Sequence, residues 1–377
     1  MLNTEPRSTK GQQYRTQMEI WIPYGEVESL VTLKAENLGE TLDIPPESHL
    51  DEITINLLER IKDVERVVVC DTKPSTVKVV KAIAAKSEVR FLAPAPKKVE
   101  AEATELRGRV EALEPPTESL PGHRGMKASR TLTLTPKKLV LATGEPDPLV
   151  GYLDARAALA LRAVDGTRKL AYDKRDGDEP RPLKDTPSHD ALVEVVGGLP
   201  GLIYATIVTR GGQPYSVIEG GTAEARGSFA TPDVPRAKGV VIGAGGRGHD
   251  ETLSHSIRLA VGAVNAARSG GEVIIVAECK EGLGSTALEM FCSGRITDGF
   301  IKKGAYVEGL EEIHYVTQLR DNYSVTLLST LPELYASGRL KFRTARGSGE
   351  ALNKAFGVIG KTAKLNVVTR ASETVVL

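Results

Sequence analysis

Residues 238–284 constrain this chain most. Residues 239–244 read as an apolar strand, followed by a glycine-rich loop to Gly248. Residues 250–268 carry Leu253, Ile257, Ala260, Val261 and Val264 on one helical face, and 273–277 form a second apolar strand. A strand–loop–helix–strand run is the unit of a parallel α/β sheet. The loop Gly243-Ala244-Gly245-Gly246-Arg247-Gly248 fits the pattern GxGxxG. Glycines let the backbone turn tightly and approach a phosphate, and a helix N-terminus supplies free N–H groups. Glu278 ends the next strand, where a dinucleotide-binding domain places its ribose acid. A lone GxGxxG is weak, so a nucleotide site, another ligand-facing loop and a plain glycine turn all stay open. Gly245, Gly246, Arg247, Asp250 and Glu278 are candidate ligand-binding residues here, with His249 a candidate acid–base. Asp250 also reads as the helix N-cap.

A second parallel run lies earlier. Residues 51–63 show helical spacing, 67–69 a buried strand, 75–86 a helix and 89–93 another strand. The intervening turn, Cys70-Asp71-Thr72-Lys73-Pro74, sits at the carboxyl end of a parallel strand, where open α/β sheets bind ligands. Lys73 suits a carboxylate or phosphate and Thr72 a hydrogen bond. The alternative is a solvated turn with Asp71 or Ser75 capping the helix.

Residues 97–127 are charged and proline-interrupted, with one expected helix at 99–113. A strand at 139–142, a helix at 152–163, a solvated loop at 169–187, a helix at 189–196 and strands at 202–208 and 215–219 follow. Two prolines in 231–238 mark a domain boundary. Beyond it, strands are expected near 313–316, 325–328 and 367–368, and helices near 331–336 and 350–356. The expected fold is therefore α/β: two domains, 18–235 and 236–377, with mainly parallel sheets flanked by helices and a cleft between them. Polar residues 1–17 read as a disordered extension, or as an upstream start ahead of Met18.

Lysine plus arginine (49) balances aspartate plus glutamate (49), so no charge field points to nucleic acid. No apolar run is long enough to span a membrane. The three cysteines, Cys70, Cys279 and Cys292, are far apart, which suits a reducing cytoplasm. Glu251 and His255 share a helix face, but no metal-ligand spacing is legible, and no metal site is expected. No GxSxG is present.

Three stretches carry a resemblance to the nickel-dependent lactate racemase family. Ile22-Pro23-Tyr24-Gly25 looks like its N-terminal opening, and Thr72-Lys73-Pro74 like its turn after the first buried strand. Gly245 to Asp250, followed by residues 270–284, resembles its C-terminal signature. The resemblance implies a two-domain α/β protein that racemises 2-hydroxy acids by reversible hydride transfer. It also implies a nickel pincer nucleotide attached through a lysine and ligated by a histidine, with further histidines as acid and base.

Departures from that pattern are chemical. Glu145, Pro146, Gly151 and Tyr152 set a register in which the nickel-ligand histidine becomes Asp147 and the attachment lysine becomes Ala157. Other family histidines fall near Tyr172-Asp173, Pro96-Lys97 (or, displaced, His123) and Tyr306. Alanine forms no covalent link, and aspartate offers hard oxygen where nickel in a sulfur-rich ligand prefers imidazole. No cofactor is therefore expected. Asp147 and His249 remain as catalytic candidates, with Arg156, beside the lost lysine, as a ligand contact. The expected function is a divergent relative acting on a small 2-hydroxy acid or related carboxylate in the cleft, with pincer chemistry lost. Two alternatives stand: a non-catalytic ligand-binding or complex-forming relative, and a nucleotide-binding oxidoreductase or transferase using the glycine loop. A homo-oligomer or a protein complex is compatible with either.

Overall fold

Two six-stranded sheets organise the chain. The computed structural model describes residues 17–120, 122–133, 137–220, 222–297, 300 and 305–377. The extension expected at 1–17 lies outside these residues except for Gln17, which opens the first strand.

The described residues open with a hairpin, β1 (Gln17–Tyr24) and β2 (Val27–Lys34), then β3 (Leu38–Leu42). Next come β4 (Arg66–Val69), β5 (Arg90–Ala93), β6 (Val110–Ala112), β7 (Pro116–Ser119) and β8 (Lys127–Ser129). β9 (Lys138–Thr143) leads into a small hairpin, β10 (Glu145–Asp147) and β11 (Gly151–Leu153). β12 (Leu202–Arg210) and β13 (Gln213–Glu219) complete the first half. The second half holds β14 (Ala237–Gly243), β15 (Ala267–Val276), β16 (Ser324–Leu328), β17 (Arg343–Ala345) and β18 (Leu365–Val368).

The first sheet has the order β13-β12-β9-β4-β5-β6 and is parallel except for the β12–β13 edge. The second, β17-β16-β15-β14-β18-β3, is parallel throughout. Side chains alternate across each. Val240, Ile242, Val273 and Ile275 enter one core, while Val241, Ile274 and Val276 enter the core on the opposite face. Val67 and Val69 likewise oppose Val68. Burial on both faces is why these strands read as continuous apolar runs.

The fold is α/β with mainly parallel sheets, as expected, but chain order and sheet membership diverge at the N-terminus. β3 pairs with β18, and Ile20, Ile22, Val31 and Leu33 pack into the core of the second sheet. Residues 17–42 thus serve the C-terminal half, so a unit running unbroken from 18 to 235 does not describe them.

Local corrections follow the same logic. Residues 313–316 lie within the helix Leu310–Asn322, not a strand. Ile313, Val316 and Leu319 form a buried helical stripe, which a four-residue window cannot distinguish from a strand. The helix expected at 99–113 is Pro96–Glu102, after which the chain turns and enters β6. The first six residues of the loop expected at 169–187 belong to the helix Thr167–Lys174. The long helix after the glycine loop is only Leu253–Ala260, and β15 begins at Ala267. Among the described residues, no helix is long and apolar enough to cross a membrane.

Candidate functional site

The carboxyl ends of both sheets face one cavity of about 460 Å³. The turn after β4, the turn after β5 and Thr143–Glu145 after β9 form one wall, and Gly248 to Arg258 with Glu281 to Ser285 form the other.

The wall after β4 is built by Asp71. Its Oδ1 accepts from Lys73 N (3.0 Å) and Thr76 Oγ1 (2.6 Å), and its Oδ2 accepts from Thr143 N (2.8 Å). Pro74 then starts the helix Pro74–Lys86, since its missing N–H has no partner to lose there. This locks β4 to β9 and directs the Lys73 side chain inward. Lys73 Nζ pairs with Glu145 Oε2 (2.9 Å) and donates to Thr143 O (3.2 Å).

The opposite wall reaches the same carboxylate. Gly248 has φ +82°, and a Cβ there would stand 3.1 Å from Lys73 Cα. Gly246 has φ +76°, and its Cβ would stand 2.8 Å from Pro23 Cβ. Glycine is required at both places by the left-handed backbone and by the close approach of neighbouring chain. That approach brings His249 Nδ1 to 3.3 Å from Glu145 Oε2. His255, on the helix Leu253–Ala260, brings Nε2 to 3.1 and 3.0 Å from Oε1 and Oε2 of Glu145. Burial pushes the Glu145 carboxyl up, but His255, Lys73 and the histidine hydrogen bonds outweigh it, holding the group well below the usual carboxylate range. Burial lowers the His255 pKa to about 4 against the pull of Glu145.

Arg162, on the helix Ala155–Ala163, also lines this cavity. It lies deep in the protein mass yet keeps solvent exposure, because what it faces is the cavity. Burial, then repulsion from Arg258 and Arg168, lowers its pKa. The other lysines and arginines of the lining are paired. Lys73 pairs with Glu145, Lys98 with Glu251 and Glu281, Arg168 with Glu311 and Glu312, and Arg258 with Asp147. Arg162 has no hydrogen-bond or ion-pair partner among the described residues.

The expected site residues distribute unevenly. Thr72 and Lys73 line the cavity, and His249 borders Glu145 from behind it. Asp147 does not reach the cavity. Its Oδ1 accepts from Leu149 N (2.9 Å) and Val150 N (3.0 Å), and its Oδ2 pairs with Arg258 (3.3 Å), so it links the two halves. Arg156 stacks over Tyr204, 5.4 Å from the ring centroid, away from the cavity. Gly245, Gly246 and Arg247 line a separate depression of about 510 Å³ beside the β1–β2 turn, where Arg247 pairs with Glu102 and Glu26. Asp250 is fully buried and is not the N-cap. Thr252 caps the helix, and Asp250 Oδ2 accepts from Gly25 N (2.7 Å) and Glu278 N (3.3 Å). Glu278 packs its carboxylate against Gly25. Glu251 does not join His255, but pairs with Lys98 (2.8 Å).

Sequence reading missed Glu145, His255 and Arg162 as a group. A charged residue inside an Ala/Leu-rich helix was the available signal for Arg162.

Of the three cysteines, Cys70 borders the cavity, and Cys279 and Cys292 do not line it. All are free thiols, with Cys70 and Cys279 buried. Burial pushes the Cys279 thiol up to about 12 and the Cys292 thiol up to about 11. A native thiol titration with an aromatic disulfide reagent is expected to label Cys292 first, ahead of the buried Cys70 and Cys279, and all three quickly after denaturation. Rapid native labelling of Cys279 would contradict this packing.

These features define a two-domain α/β protein with a polar cavity where the carboxyl ends of two parallel sheets meet. No family model and no curated protein matches the chain. Among solved structures, the chain is similar to the lactate racemase apoprotein from Thermoanaerobacterium thermosaccharolyticum. The TM-score is 0.70 at 16% identity, covering 96% of this chain and 100% of that one. The shared property is the fold.

The pincer nucleotide implied by the resemblance does not fit the residues present. Ala157 is buried on its helix and has no amine, and both carboxylate oxygens of Asp147 are engaged.

Proposed function

We propose that this protein binds a small carboxylate of the 2-hydroxy-acid class in the cavity between its two sheets, without pincer-nucleotide chemistry. The observation that carries the reading is Arg162. Its guanidinium is open to the cavity and holds no ion pair among the described residues, with Arg258 and Arg168 repelling it and Asp71 and Glu145 only partly offsetting them, so it is available to an incoming anion. A carboxylate matches its planar fork with two parallel hydrogen bonds. The location supports the reading too, since ligands of open α/β sheets bind outside the carboxyl ends of the strands. A cavity of about 460 Å³ exceeds a three-carbon acid, so larger hydroxy acids are within scope. The structural neighbour, by its name a lactate racemase, agrees in ligand class.

A nucleotide on the glycine loop has less support. Gly246 and Gly248 spend their freedom on contact with Pro23, Lys73 and Pro74.

The test is calorimetry against a panel of 2-hydroxy acids, 2-oxo acids and simple carboxylates. Arg162→Met is expected to weaken the best ligand about 10–100-fold, the loss of one charge-assisted pair. Its folding stability should stay within about 0.5 kcal/mol, because Arg162 has no hydrogen-bond or ion-pair partner among the described residues to lose. If no carboxylate binds, or the variant binds equally well, the reading fails.

A further inference from the structure

We propose that Glu145, His249 and His255 form a binding site for one divalent metal ion of the zinc class, open toward the cavity. Their donor atoms, one carboxylate oxygen, Nδ1 of His249 and Nε2 of His255, all lie within 4.8 Å of one another. Bonds of about 2.0–2.2 Å in tetrahedral geometry put neighbouring donors about 3.4 Å apart. The oxygen–nitrogen distances here are 3.0 to 3.3 Å, close to that spacing, and the two histidine nitrogens lie within 4.8 Å of each other. Two imidazoles and one carboxylate are a zinc-type donor set that leaves a fourth position free. Glu145 and His255 line the cavity, so that position faces it.

Supports for the ligands are present. Lys73 Nζ holds the Glu145 carboxylate and is itself held by Thr143 O. Hydrogen bonding of a ligating carboxylate fixes its orientation. The same ammonium also opposes a dication at short range, and this makes the site testable. The inference rests on three side chains and is independent of the carboxylate reading.

Untagged protein, stripped with a chelator, is dialysed against Zn²⁺, and Co²⁺ uptake is followed by visible absorption. One equivalent per chain is expected, with the intense bands of four- or five-coordinate Co²⁺. His255→Ala and His249→Ala should each weaken Zn²⁺ binding at least tenfold, with folding checked by circular dichroism. Lys73→Met should strengthen it several-fold, because the competing charge is gone. Absence of a bound equivalent at micromolar Zn²⁺ overturns the proposal. Binding unchanged by all three substitutions also overturns it, since the ion then sits elsewhere, as at His49–Glu47 or His314–Asp178. Wild-type protein that takes up one equivalent of Zn²⁺ but binds no carboxylate upholds this site and fails the carboxylate reading, which keeps the two outcomes distinguishable.

Discussion

Replacing Glu145 by alanine is expected to destabilise the protein by about 3–5 kcal/mol in denaturant unfolding. Glu145 is 4% exposed and takes contacts from Lys73, His249 and His255. Removing it leaves the Lys73 ammonium, itself 7% exposed, with only the Thr143 carbonyl. A buried charge stripped of its partner costs far more than the pair contributes, because desolvation is no longer offset. The double variant Glu145→Leu with Lys73→Met should therefore recover at least half of the loss. Both charges leave together, and the volume is largely kept. A single-variant loss below about 1 kcal/mol, or no recovery in the double variant, would show that the cluster is solvated and not a buried charge pair.

The second large effect is expected at Asp250. Its carboxylate joins three separate segments, the β1–β2 turn through Gly25 N, the glycine loop that carries it, and the end of β15 through Glu278 N. Burial raises its pKa, while those two backbone bonds and His249 lower it, so the protein holds the group under opposing demands. Asp250→Ala orphans both N–H groups in a site with 0% exposure of the aspartate, at a cost of about 2–4 kcal/mol. Asp250→Asn keeps one acceptor oxygen and should lose less than half as much. Amide exchange gives a local readout, with Gly25 exchanging faster in the alanine variant while strands β4 and β9 stay protected. Unchanged exchange at Gly25 would mean that the turn is held by other contacts, such as Arg247 N to Gly25 O (2.8 Å).

The buried strands were legible because parallel strands covered on both faces need apolar residues at every position, as in 240–242 and 273–276. The turn at Asp71–Pro74 was legible for a similar reason. Its proline and the Oδ1 of its aspartate act on neighbours within five residues, although the Oδ2 reaches Thr143 on β9. Elements whose signal lies in packing were not. Residues 313–316 match strand and helix equally until the neighbours of Leu319 are known. β3 carries no mark that its partner is β18, more than 300 residues away in sequence, as the Glu40–Asn366 contact records.

For the site, the sequence by itself determined which side-chain groups are absent and where one strand–loop–helix–strand edge lies. Ala157 has no amine wherever the helix packs, and residues 238–284 form a strand, a glycine turn, a helix and a strand on local grounds. Tertiary structure decided which polar groups meet at the cavity. Glu145 meets His249 and His255 across separations of 104 and 110 residues. It also decided that Arg162 has no hydrogen-bond or ion-pair partner among the described residues while its neighbouring cations do. The reason is that side-chain composition and spacing set local conformation, whereas the pairing of charges depends on how two separately formed sheets bring their carboxyl ends together.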